Sequence, residues 1–155
     1  MKKLNLDAVD IAILKMLQND GRATTKEMAA ACFLSISAVN RRIKRLEASG
    51  VIEQYTAILR KKDLELYLVA FVNVRLIDHN ENSLQVFRTS IAGLQEIKQC
   101  SLTESNNGII LKVVVNDLVS YERFYQEKLL NIPGLGDIHS QLAIAEKKCG
   151  TVLKL

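Results

Sequence analysis

Residues 35–55 read SISAVNRRIKRLEASGVIEQY, and the middle of this stretch carries two patterns at once. Arg41, Arg42, Lys44 and Arg45 crowd around a lone Ile43. Ile36, Val39, Ile43 and Leu46 recur at intervals of three and four, the spacing of a buried helical stripe. At about 100° per residue, Ser37, Ala38, Arg41, Lys44 and Arg45 point away from that stripe. Asn40 lies on one rim and Arg42 on the other. Ser35 is placed to cap the helix and Gly50 to end it. One apolar and one cationic face on a single short helix imply packing on one side and a polyanion on the other.

The residues before this stretch supply its setting. Asp7 can cap a helix beginning at Ala8 or Val9, with Val9, Ile13, Leu14, Met16 and Leu17 on one side. Asn19-Asp20-Gly21 stops it, Gly21 serving as the expected left-handed residue. Thr24 and Glu27 form a capping box that opens a second helix through Cys32. Phe33-Leu34 makes a short turn. Two short helices, a tight turn and a basic third helix make a helix-turn-helix unit. A run of Lys and Arg is commonly only a solvated face. The serine cap, the preceding short helix and the concentration of charge favour DNA instead. Ser37, Ala38 and Arg41, near the helix start, are expected at base edges, and Lys44 and Arg45 at phosphates. Ser35, Asn40 and Arg42 complete the candidate DNA-binding set. Val51-Ile52 and Tyr55 to Leu59 read as extended segments, a wing or linker strand.

Charge divides the chain in the same way. Residues 1–60 hold ten Lys/Arg against six Asp/Glu, and residues 61–155 hold eleven of each. A basic head on a neutral body suggests a polyanion-binding module attached to a domain with another task. Three cysteines, Cys32, Cys100 and Cys149, lie far apart with no CxxC pair, so neither a disulfide framework nor a zinc site is expected. His79 and His139 have no ligand partners at metal-binding spacing. No apolar run could span a bilayer, and Asp7 follows the first lysines too soon for a secretory signal, so a cytoplasmic protein is expected. No cofactor or metal is expected.

Two long motifs resemble the Lrp/AsnC family of transcriptional regulators. One is Leu6-Asp7-x-x-Asp10-x-x-Ile13-Leu14-x-x-Leu17-Gln18-x-Asp20-Gly21-Arg22. The other is Leu34-Ser35-x-Ser37-x-Val39-x-x-Arg42-Ile43-Lys44-Arg45-Leu46-Glu47-x-x-Gly50-Val51-Ile52-x-x-Tyr55. Ile36 stands where many members have Pro, and Glu65 where members often have Gly.

The second half is α+β. Leu66 to Leu76 reads as a strand, Leu84, Val86, Phe87 and Ile91 as a helix face, and Glu96 to Thr103 and Ile109 to Val115 as two strands. The strand from Ile109 is expected to be buried on both faces. Asp117 caps a helix in which Leu118, Tyr121, Phe124, Tyr125 and Leu129 recur, a spacing that favours core packing over a base-stacking platform. Pro133-Gly134 breaks the chain before a last strand, Ile138 to Glu146. The order βαββαβ is that of a ferredoxin-like sandwich. Helices should cover one sheet face and leave the other for a partner subunit, which predicts a homodimer. The expected organisation is therefore a helix-turn-helix DNA-binding domain over 1–50, a wing or linker strand over 51–65, and a ferredoxin-like domain for ligand sensing and oligomerisation over 66–155.

The resemblance covers this half too. It implies a winged helix-turn-helix followed by a RAM-type sensing domain, and dimers that assemble to octamers or other rings on double-stranded DNA. It also implies a free amino acid held between dimers near the turn joining the second and third strands. Members usually carry Gly-x-x-Asp at that turn, where this chain has Ser105-Asn106-Asn107-Gly108. Three alternatives stay open: a plain Asn-Gly hairpin turn, a ligand loop of altered specificity, or regulation without a small ligand. Thr103, Glu104, Ser105, Asn107, Gly108 and Ser140 are the candidate effector-binding residues. Two other functions compete with an effector-modulated regulator. One is an architectural DNA-binding protein with little sequence preference. The other is an enzyme using Cys100 and His139, though nothing near that pair activates a nucleophile. No catalytic residue is assigned.

Overall fold

The expected N-terminal helix caps Asp7, Thr24, Ser35 and Asp117 all form. The computed structural model describes residues 4–78, 80–103, 108–144 and 153–155, apart from the Lys62 side chain. Helix α1 spans Ala8–Asn19, capped by Asp7, whose side chain accepts from the Asp10 N–H while Asp10 accepts from the Asp7 N–H. Helix α2, Thr25–Cys32, opens on the Thr24–Glu27 capping box, and α3, Ile36–Ala48, on Ser35. Reciprocal caps satisfy backbone donors that a helix start leaves open. Ile13, Leu14, Met28, Ala29, Val39 and Leu46 form the buried core of this unit. Gly50 ends α3 with φ 75°.

Three details differ from expectation. Ile36 is half exposed, because as the first residue of α3 it projects beyond the core that Val39 and Leu46 reach. Gly21 does not take a positive φ; the α1 end turns through Asp20 in extended geometry, and the Asp20 side chain accepts from the Arg22 N–H. Residues 53–60 follow without ladder partners, so no wing strand is formed there, and a 3₁₀ turn over Lys61–Leu64 closes on Glu65 at φ 57°.

Contacts divide the chain into two units, with the boundary between Ile58 and Leu59. The chain's last residues group with the first unit: the Leu153 N–H donates to Gln18 Oε1 at 2.6 Å.

The second unit contains strands β1 (Leu68–Leu76), β2 (Ile97–Leu102), β3 (Gly108–Val115) and β4 (Leu135–Leu142), with helices α4 (Glu81–Ile91) and α5 (Leu118–Phe124). The sheet order is β2-β3-β1-β4, with every pairing antiparallel. Tyr125–Leu129 extends α5 as a π turn. Strand β4 begins three residues before the expected Ile138, because its pairing with β1 runs back to Leu76↔Leu135. Ala70, Val72, Val74 and Leu76 of β1 pack with Leu111, Val113, Phe87 and Phe124 on the helix side. On the opposite face of β3 only Val114 is buried; Ile110 and Lys112 are half-buried, so this strand is not closed on both sides.

Candidate nucleic-acid interface

Helix α3 presents Ser35, Ser37, Asn40, Arg41 and Lys44 to solvent at its outer face, and Ala38 is half-buried among them. The Ser35 and Ser37 hydroxyls lie 3.0 Å apart, and Ser35 Oγ also accepts from the Ala38 N–H. These groups sit at the helix N-terminus, where N–H dipoles favour an anion. Arg41 and Lys44 make no ion pair with any described residue, so their charge is available to an external anion.

Arg42 and Arg45 are placed differently. Arg42 donates to Asp7 at 2.6 Å and to Asp10 at 2.8 Å, and Arg45 donates to Asp10. Asp10 is fully buried. A buried carboxylate is tolerated when charge-assisted hydrogen bonds replace its water, and the two arginines supply them. They therefore bolt α3 to α1 before they do anything else. The Asp7 carboxyl is held below its ordinary value, first by the Asp10 N–H and then by Arg42. Arg42 is raised in turn by Asp7 and Asp10. Of the expected DNA-binding cations, Arg41 and Lys44 face outward unpaired, whereas Arg42 and Arg45 are shared with the domain's own frame. In the sequence Asp7 reads as a helix cap and Asp10 only as a motif position, neither of them as a partner of α3. The signal that could have found the clamp was an aspartate on a helix otherwise read as apolar on its core side.

In the second unit the described effector candidates lie at two places, Thr103 and Gly108 on the β2–β3 hairpin and Ser140 on β4. Glu104, Ser105 and Asn107 fall outside the described residues. Thr103 and Gly108 close the β2–β3 hairpin, the Thr103 N–H and hydroxyl both donating to the Gly108 carbonyl at 2.8 and 2.9 Å. Ser140 lies on edge strand β4, paired opposite Val72, on the helix side of the sheet. There its hydroxyl bonds the Tyr121 hydroxyl, in a recess of about 330 Å³ lined also by Glu122, Tyr125, Gln126 and Ile138. Burial raises the Tyr121 phenol, with the Ser140 contact opposing it. Tyr121 and Phe124 are buried in the core rather than offered as a stacking surface.

The Cys100–His139 pair is separated by the sheet. Cys100 is on edge strand β2 facing the α4 side, opposite Leu111, and His139 is on the other edge strand, opposite Asn73 on the far face. Desolvation raises the Cys100 thiol, with Arg88 acting the other way, so the thiolate a nucleophile needs is disfavoured. Among the described residues no group of His, Cys, Asp and Glu could hold a metal ion, and no helix is long and apolar enough to cross a membrane.

Comparison with known proteins gives the same division of labour. A family model for winged helix-turn-helix DNA-binding matches residues 6–53, and a model for the Lrp/AsnC ligand binding domain matches residues 69–153. The leucine-responsive regulatory protein of Escherichia coli K12 is 33% identical over 144 residues, 93% of this chain and 88% of that protein. The crystal structure of a transcriptional regulator from Neisseria meningitidis in complex with L-methionine superposes with a TM-score of 0.88 at 31% identity, covering 97% of each chain. An AsnC family transcriptional regulator from Agrobacterium tumefaciens also gives 0.88, at 28% identity over 96% of this chain and 97% of its own. The relatives are regulators rather than enzymes, and with a helix-turn-helix head and a ligand-binding body this chain belongs to the Lrp/AsnC family of DNA-binding transcriptional regulators.

Proposed function

We propose that this chain is a cytoplasmic, sequence-specific regulator that grips duplex DNA as a homodimer or larger ring and is modulated by a free amino acid in its second unit. The observation that carries the DNA face is the outward surface of α3: Ser35, Ser37, Ala38, Asn40, Arg41 and Lys44 around the helix start, with Arg41 and Lys44 in no ion pair with a described residue. Hydroxyls and an amide there suit base edges, while Arg41 and Lys44 suit phosphates or a guanine edge. Arg42 and Arg45 contribute mainly by fixing the helix, with Arg45, still 45% exposed, able to reach a phosphate as well.

Dimerisation is supported by the sheet. Helices α4 and α5 pack on one face, and the other presents Phe71, Asn73, Ile110 and Lys112 partly exposed. A second copy covers such a face most simply. Effector binding is supported by the family and by the N. meningitidis neighbour, whose structure holds L-methionine. Within one chain Thr103 and Gly108 stand at the hairpin and Ser140 in a separate recess, so an effector pocket that uses them all is completed by a neighbouring copy.

The test is a melting curve of the pure protein with each of the twenty amino acids, paired with sedimentation. A ligand at 100 times its Kd adds about 2.7 kcal/mol to native stability. A shift of several degrees with one chemical class, and a mass of two or more chains, is the expected outcome. No shift with any amino acid, together with equal affinity for random and enriched DNA, would favour an architectural protein of the same fold instead.

A further inference from the structure

Phe33 occupies a backbone position that disfavours a side chain. It follows α2 with φ 55° and ψ 42°, in the left-handed region that glycine and asparagine take readily and a Cβ-bearing aromatic does not. Two hydrogen bonds lock it there. The Phe33 N–H donates to the Ala30 carbonyl at 3.4 Å, and the Leu34 N–H to the Ala29 carbonyl at 2.9 Å. Leu34 turns inward onto the core of the first unit. Phe33 is left 95% exposed. Neither packing nor backbone preference accounts for an aromatic ring at this site.

Its location does. Phe33 lies two residues ahead of the α3 cap Ser35 and three ahead of Ile36, itself 49% exposed. Phe33 therefore sits in the turn that leads directly into the helix end carrying the Ser35 and Ser37 hydroxyls. In a helix-turn-helix this end enters the major groove and the adjoining turn meets the backbone. Strain retained in a native fold concentrates at binding sites. Duplex DNA offers apolar surface at the groove edge, the thymine 5-methyl group and the deoxyribose.

We propose that Phe33 is an apolar DNA contact, its ring seated against a thymine methyl or a deoxyribose when the start of α3 docks. The proposal rests on the DNA face assigned above and adds a residue that charge and polarity do not reveal. An exposed ring gains from burial only in the complex, so the strained position is retained for binding rather than for folding.

The experiment uses the full chain and a duplex enriched by the wild-type protein from a random-sequence library. Phe33→Gly and Phe33→Asn suit the left-handed backbone and remove no buried contact, so both should melt at or above the wild-type temperature. Their affinity for the enriched duplex should fall about tenfold, the loss of one buried apolar contact. The slope of log K against log salt should stay at the wild-type value, since no phosphate contact is removed. Repeating the titration with uracil in place of thymine separates the two surfaces. A loss seen with wild type and absent with Phe33→Gly assigns the methyl group, and no loss with either assigns the deoxyribose. Unchanged affinity of Phe33→Gly overturns the proposal while leaving the DNA face intact. A slope that falls with the affinity, or a smaller sedimenting mass for DNA-free Phe33→Gly, overturns it as well, in favour of displaced phosphates or a subunit contact. Failure of the wild type to enrich any duplex would remove the DNA face and the proposal together.

Discussion

Asp10→Asn is the substitution that most directly tests how α3 is held. Asp10 is fully buried and accepts from Arg42 at 2.8 Å, from Arg45, and from the Asp7 N–H at 3.1 Å. Asparagine keeps the volume, so no cavity forms. It removes the charge and replaces one acceptor oxygen with an NH₂ that confronts a guanidinium. Two charge-assisted hydrogen bonds of about 1.5–3 kcal/mol each are lost or reduced to neutral ones. The full sum overstates the effect. Arg42 keeps Asp7 at 2.6 Å, and Arg45 is 45% exposed and can turn to water, so neither cation is stranded. A net cost of about 2–3 kcal/mol follows, below the 3–5 kcal/mol typical when a buried charge loses its only partner. In a unit of this size, 1 kcal/mol moves Tm by about 4–8 °C, so the first unit should melt roughly 10–20 °C lower. Circular dichroism at the helical band, on the full chain with and without 0.5 M salt (about three times physiological ionic strength), reads this directly. Because Asp10 is buried, salt should narrow the gap only slightly. An Asp10→Asn protein that melts within about 1 °C of wild type would refute the idea that this carboxylate joins the two helices.

Arg41→Ala and Lys44→Ala should each reduce the slope of log K against log salt by about 0.9 while leaving Tm in place, whereas Arg42→Ala should lower Tm with a smaller change in slope. Quantitative binding titrations from low to high salt check all three. Acid should destabilise the chain in a defined window. Asp7, Glu27 and Asp117 all have native carboxyls below their ordinary values of 3.8, 4.5 and 3.8, chiefly through backbone N–H donors at helix starts. Their contribution is complete above those ordinary values and disappears as pH falls through the lower native ones, so Tm should hold at neutral pH and drop below about pH 4. Asp7→Asn should flatten that acid limb, and a wild-type Tm independent of pH down to about 2 would contradict it. Glu65→Gly should raise Tm, because Glu65 holds φ 57° at the end of the 3₁₀ turn and sheds up to about 1–2 kcal/mol of left-handed strain. A lower Tm would show that the Glu65 side chain is needed where it stands.

Local chemistry in the sequence was enough to determine the five helices and four sheet strands of the described residues and their order, though not the stretch over 51–65. Asp7, Thr24, Ser35 and Asp117 mark helix starts because a side-chain oxygen three residues before an open N–H satisfies it wherever the chain goes next. The stripe of Val39, Ile43 and Leu46 and the βαββαβ succession follow from periodicity in the same way, since burial of one face depends only on spacing. The exposed serines, Arg41 and Lys44 were therefore legible as the outer face of α3. Tertiary structure decided what the remaining cations do. Arg42 and Arg45 meet Asp10 across 32 and 35 residues, and no helical wheel of α3 alone contains that partner. It decided that Ile36 and Phe33 stand in water, because the buried stripe of α3 begins one turn later, at Val39, and Leu34 claims the inward place. It also set Ser140 apart from Thr103 and Gly108, because the sheet order β2-β3-β1-β4 puts the last strand on the edge far from the β2–β3 hairpin. Sequence fixes spacing along the chain, and only the packed fold fixes which distant charges and edges come within hydrogen-bond reach.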